Sequence, residues 1–213
     1  MARATGRSQS LGSSAMSRPV PEEKSFLRRQ LREQMKRLAP EERAAASGQI
    51  RRRLLEQPVW QTARSVLFYV PAAEEPDLWP LVDQALAQDK VVTLPRYAPA
   101  AGHYLASRIR HGWSDLAPGQ FGILEPTADC LIFDLKQLDL ALVPGVGFSL
   151  DGGRLGRGKG YYDRLLAEVT GCKCGVAFDC QVTAAFPLEP HDIRVNCLVT
   201  PTSWHWVVNP PGA

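Results

Sequence analysis

The side chains best suited to handling an anion crowd into one stretch, Pro144 to Asp163, which reads PGVGFSLDGGRLGRGKGYYD. Glycine occupies positions 145, 147, 152, 153, 156, 158 and 160, and Arg154, Arg157 and Lys159 place three cations within six residues. Glycine lets a backbone approach a ligand closely and leaves its N–H groups unobstructed. The stretch follows the apolar run Leu138 to Val143, which reads as a strand, and precedes Tyr161 to Val169, which reads as a helix. A cationic loop that leaves a strand and opens a helix predicts an anion site, with a nucleotide polyphosphate as the best-matched anion. Two named loops fall short of matching. Gly153 to Lys159 fits GxxxxGK, but Gly160 stands where a P-loop carries its magnesium-binding hydroxyl. Gly156-x-Gly158 runs on to Tyr161 where a dinucleotide fingerprint needs glycine. Neither a standard NTPase nor a Rossmann dehydrogenase is predicted.

Elements must hold this loop in place, and hydrophobic spacing suggests which. Phe26, Leu27, Leu31, Met35 and Leu38 recur at helical intervals from Glu22, with Arg28, Arg29, Arg32, Lys36 and Arg37 over much of the remaining surface. Pro40, Glu41 and Glu42 restart a helix, since proline suits a first turn and acids suit the positive end of the dipole; it stops before Pro58. Ser65 to Val70, Val91 to Leu94, His103 to Ile109, Cys174 to Phe178 and Cys197 to Thr200 read as short strands, and Leu78 to Gln88 as a helix. Short apolar strands between helices predict an α/β fold: a layered, largely parallel sheet flanked by helices, in a single domain with basic N-terminal helices.

Composition limits the alternatives. A chain of 213 residues, 45% hydrophobic and 22% charged, can bury a core without staples and is not a disordered chain. No apolar run reaches the roughly 18 to 20 residues of a membrane span. The five cysteines form no CxxC pair, so they predict reduced thiols rather than a zinc site or a disulfide framework. Residues 1–53 hold 13 Lys and Arg against 5 Asp and Glu, while the rest of the chain is net acidic. That basic segment fits phosphates, nucleic acid or a solvated helical face. Residues 1–21 are expected to be a disordered extension, with the domain over 22–208. The Arg- and Ser-rich, acid-poor character of the first twenty residues also suits a mitochondrial transit peptide.

Pro144 to Phe148 with Gly153-Arg-Leu-Gly-Arg-Gly-Lys-Gly-Tyr-Tyr-Asp163 closely resembles the signature of the 5-formyltetrahydrofolate cyclo-ligase (5,10-methenyltetrahydrofolate synthetase) family. The resemblance extends over roughly residues 22–203 and takes in Lys24 to Arg28, Leu94 to Tyr97, Gly122 to Pro126, Gln181 and Pro187 to Asp192. It implies an enzyme that uses ATP and Mg2+ to close 5-formyltetrahydrofolate into 5,10-methenyltetrahydrofolate. It also implies a cytoplasmic monomer with no nucleic acid and no membrane partner.

The resemblance assigns roles residue by residue. Lys24, Arg28, Arg154, Gly156, Arg157, Gly158, Lys159, Gly160, Tyr161 and Tyr162 would hold ATP, and Arg157, Lys159 and Tyr161 would act at the reacting groups. Arg157 to Tyr161, Tyr69 and Glu74 would meet the folate. Asp163 and Asp192 match magnesium positions, although Asp163 also suits the first turn of a helix. The family's acid that binds the pterin falls in Glu74-Glu75-Pro76-Asp77, a departure from the usual pattern. Glu74 and Glu75 both remain open there, with Glu74 the better aligned. Tyr69 and one of Tyr161 and Tyr162 are equally suited to packing, and Phe121 either to covering the pterin or to joining the core.

Overall fold

The computed structural model describes residues 19–207, so the expectations for residues 1–18 and for the side chain of Phe121 lie outside the described residues. Two long helices come first, α1 (Val20–Lys36) and α2 (Pro40–Leu55), then the short α3 (Pro58–Thr62). The chain continues through β1 (Ser65–Leu67), α4 (Trp79–Ala87), β2 (Val91–Ala98), β3 (His103–Ile109), β4 (Leu116–Pro118), β5 (Leu124–Pro126), β6 (Ile132–Phe133) and β7 (Leu140–Val143). The glycine-rich stretch holds β8 (Gly147–Ser149) and β9 (Arg154–Leu155) and ends in α5 (Tyr161–Ala167). After it come β10 (Cys172–Val176), β11 (Val182–Thr183), β12 (Cys197–Val199) and β13 (Trp204–Trp206).

Eight strands form the main sheet in the order β13-β12-β10-β7-β1-β2-β3-β6. Pairing is parallel from β12 to β2 and antiparallel at both edges. The central strands bury both faces, as parallel strands covered by helices must. In β7, Leu140 and Leu142 join the core cluster beneath α2, α3 and α4, while Ala141 and Val143 join the one beneath α5. Adjacent residues of β1 split the same way, Val66 to one side and Leu67 to the other. That two-sided burial is why these strands appear in the sequence as unbroken apolar runs.

Several small features had no counterpart in the sequence reading: α3, the hairpin β4–β5, the three-stranded sheet β11-β8-β9 inside and beside the glycine-rich stretch, and the edge strands β6 and β13. Strand order reverses between β1 and β7. From β1 the chain moves one way to β2, and β7 later returns on the other flank and leads to β10. In an open α/β sheet the crevice beyond the carboxyl ends at such a switch is where ligands bind.

Candidate active site

A cavity of about 490 Å3 lies at that switch. Tyr69 and Glu75, beyond the carboxyl end of β1, form one part of its wall, and Pro144 and Gly145, beyond β7, form another. The loop from Arg154 to Asp163 closes one side, and Lys24 and Arg28 of α1 reach in with Asp192. The elements thus bring together every site residue expected from the sequence except Glu74, whose place in the wall is taken by its neighbour Glu75.

The loop's conformation depends on glycine. Gly158 and Gly160 adopt φ of 98° and 64°, in the left-handed region that costs other residues about 1–2 kcal/mol. Gly160 caps α5, a helix of only seven residues, so cations and loop N–H groups must supply most of the pull on an anion. Arg157 and Lys159 are exposed at the loop's outer rim. Arg28 donates from Nε to the Gly156 carbonyl at 2.8 Å and so ties the loop to α1.

Charged pairs order the remainder. Lys24, only 4% exposed, donates to Glu189 Oε2 at 2.8 Å and Asp192 Oδ2 at 2.5 Å. Burial works against its charge, but the bonds to those carboxylates outweigh it and hold its pKa above the usual lysine value. Burial would also raise the Asp192 carboxyl, yet the Glu189 N–H and the Lys24 ammonium hold it below the ordinary aspartate range. The buried Arg154 donates from Nη2 to Asp163 Oδ1 at 2.8 Å and lies over the Tyr162 ring. Asp163 therefore stands in the first turn of α5 as the partner of Arg154 as well as in the cavity wall.

Arg157 bonds Glu75 Oε1 at 2.7 Å, and the Ala72 N–H holds the other oxygen of Glu75 at 3.0 Å. Burial lowers the pKa of Arg157, but the Glu75 charge more than restores it. Tyr69 is both a wall and a packing residue: it is 2% exposed, with its hydroxyl donated to the Pro76 carbonyl at 2.8 Å. Burial pushes both the Tyr69 and the Tyr162 phenols up, so each stays protonated. Tyr161 meets Tyr97 and Tyr104 edge-on, with ring centroids 5.7 and 5.6 Å away.

Glu125, Tyr104 and Glu189 are wall residues that went unread in the sequence. Glu125, 6% exposed, accepts from the Tyr97 N–H at 2.8 Å, and Gly119 makes room for its side chain. Tyr104 stands near it; burial first and the Glu125 charge second push its phenol up to about 12. The signals were present, an acid inside the Gly122–Pro126 segment and a tyrosine within the His103–Ile109 run, but nothing local marked their direction.

Carboxylates suit a hard cation such as magnesium, and Glu189, His191 and Asp192 bring ligand atoms within 4.8 Å of one another. Lys24 already sits on two of these groups, so the set fits an ion that arrives with phosphate oxygens rather than a bare one. Among the described residues no helix is long and apolar enough to cross a membrane, and the five cysteines are free thiols.

A helix-covered parallel sheet, with a cationic glycine loop beside the cavity at its switch point, defines an α/β protein whose site is suited to an anion. The model of the 5-formyltetrahydrofolate cyclo-ligase family matches residues 20–201. The chain belongs to that family. It is 32% identical over 181 residues to the 5-formyltetrahydrofolate cyclo-ligase of Escherichia coli K12, covering 83% of this chain and all of the relative. It is 27% identical to the mouse cyclo-ligase, covering 81% and 91%. The solution structure of Aquifex aeolicus 5,10-methenyltetrahydrofolate synthetase superposes with a TM-score of 0.79 at 35% identity, covering 89% of this chain and 95% of that one.

Proposed function

We propose that this protein converts 5-formyltetrahydrofolate into 5,10-methenyltetrahydrofolate with ATP and magnesium, releasing ADP and phosphate, in the cytoplasm. The observation that carries the proposal is the convergence of the Arg154–Asp163 loop, Lys24 and Arg28 with a carboxylate-lined wall on one cavity. An N5-formyl amide is a poor electrophile, and its oxygen is a poor leaving group. Moving the γ-phosphoryl group onto that oxygen gives an imidoyl phosphate and ADP. N10 then attacks the formyl carbon and gives up its proton, and phosphate departs to leave the bridge between N5 and N10.

Little covalent work falls to the protein in such a sequence. It must bring the formyl oxygen to the γ-phosphorus and neutralise the charge that develops there. Lys24, Arg28, Arg154, Arg157 and Lys159, with the N–H groups from Gly156 to Tyr162, suit the phosphates. Magnesium supplies further neutralisation when bound, with Asp163, Asp192 and Glu189 the carboxylates to hold it. Glu75, fixed by Arg157 and Ala72, is better placed than Glu74 to accept N–H groups of the pterin, beside Tyr69.

The test is direct. Purified protein is mixed with 5-formyltetrahydrofolate, ATP and magnesium, and the near-ultraviolet absorbance of the methenyl product is followed against an ATP-free control. An ATP-dependent rise is expected. Lys159→Ala should reduce it at least about 100-fold, as loss of a group that stabilises developing charge does, without altering the fold. ADP formation without methenyl product would replace this reading with that of a small-molecule kinase.

A further inference from the structure

Beside the main cavity lies a second one, of about 500 Å3, walled by Arg28, Arg29, Arg32, Lys36 and Arg157 together with Ser25 and Glu33. The two meet at Arg28 and Arg157, which belong to both walls. Every member but Arg157 comes from α1, at three- and four-residue steps that bring them to one face. Leu31 and Met35, on the adjoining stripe of the helix, are buried against the body of the protein.

Two of the five cations of this groove are paired, Arg157 with Glu75 and Lys36 with Glu33, and three arginines are left over. Its acid, Glu33, is taken by Lys36 at 2.9 Å, and Glu74 also faces Lys36. Among the described residues no ion pair forms to Arg28, Arg29 or Arg32. Arg28 bonds a backbone carbonyl and Arg29 lies over the Phe26 ring, contacts that leave both charges in place. Burial, and then the charge of Arg32 four residues on, hold the Arg28 pKa below the usual arginine value. Like charges at that spacing weaken a helix, so the cluster costs local stability.

We propose that this groove receives the two carboxylates of the folate substrate's glutamate tail, while the reacting rings lie in the main cavity. The inference rests on the folate reading above. On that reading the cations of the loop and Lys24 are assigned to the phosphates of the nucleotide. The substrate's tail is the other anion that must be placed, and a planar guanidinium fork matches a carboxylate in charge and shape. Arg29 and Arg32, exposed and outside the main cavity, are the groups assigned to it.

Arg29→Ala and Arg32→Ala, singly and together, test this. KM is measured for 5-formyltetrahydrofolate, for its analogue with both glutamate carboxyls converted to methylamides, and for ATP. The double substitution should raise KM for the natural substrate about tenfold, the loss expected when charge-assisted hydrogen bonds are removed. KM for the bis-amide and for ATP should stay within about twofold, since the bis-amide lacks the carboxylate charges that would pair with the two arginines and ATP is assigned to the loop and Lys24. Arg29→Lys with Arg32→Lys, which keeps the charge and the helix, should recover most of the loss. An unchanged KM for the natural substrate, equal rises for both substrates, or a rise in KM for ATP would overturn the assignment. Wild-type protein that converts neither substrate would overturn the folate reading itself. Conversion of both by a double variant with wild-type constants would overturn the tail site alone.

Discussion

Asp163 pairs with Arg154, and the proposed function gives it magnesium as well; the two roles can be separated. Its Oδ1 accepts the Arg154 guanidinium, and the side chains are 16% and 3% exposed. Losing the charge of Asp163 leaves Arg154 buried with a weakened partner. Breaking a buried pair outright costs about 3–5 kcal/mol, and an amide oxygen that still accepts should limit the loss to about 2 kcal/mol. Asp163→Asn should therefore lower the melting temperature by roughly 4–8 °C for a chain of this size, and weaken the magnesium dependence of turnover. A variant that melts with the wild type and differs only in its magnesium titration would leave Asp163 as a metal ligand alone. The sequence made the chemical type of this residue plain, because a loop of glycines and cations ends on it. The Arg154 partnership was hidden, since it depends on a turn through Gly156, Gly158 and Gly160. The choice between Glu74 and Glu75 was hidden for a similar reason: neighbours of the same chemistry are told apart only by which way one turn faces.

α1 joins the loop to the rest of the site, and its docking depends on a glycine in another element. Leu31 packs where a Cβ on Gly147 of β8 would stand. That contact seats the helix, and with it Lys24 against Asp192 and Arg28 against Gly156. Gly147→Val should push α1 outward and cost about 1–3 kcal/mol, the usual range for overpacking. KM for ATP should rise severalfold as Lys24 and Arg28 retreat, and the variant should melt earlier. An unchanged KM for ATP would mean that the two cations do not contact the nucleotide. The basic face and apolar stripe of α1 were legible in the sequence, as were the central strands, because burial on both sides writes a continuous apolar run. β8, β9 and β11 were not, because strands of two or three residues are too short for a period of two to show, and β8 and β9 also lie within a glycine-rich stretch.

Across the molecule, Lys24 links the first helix to the Glu189–Asp192 turn, residues 165 and 168 positions away in the chain. Sequence can show a cation and an acid, but not a contact over that separation. The link sets a pH window. The Asp192 carboxyl is depressed below its ordinary 3.8, so its contribution is complete above that value and is lost as pH falls through the lower, folded one. The Lys24 pKa is raised above 10.5, so its contribution is complete below 10.5 and is lost only as pH rises through the folded value. Between those limits α1 and the Glu189–Asp192 turn stay joined and their part of the cavity wall stays formed. Asp192→Asn removes the charge but keeps an acceptor for the Glu189 N–H. It should lower unfolding free energy at pH 7 by about 2 kcal/mol, the value of a hydrogen bond to a charged group. Urea titrations stepped from pH 7 down to pH 2.5 should show that gap closing below pH 4, as wild-type Asp192 takes up its proton and comes to resemble the variant. A gap that stays constant to pH 2.5 would mean that Asp192 holds the turn by shape, with its charge contributing nothing to stability.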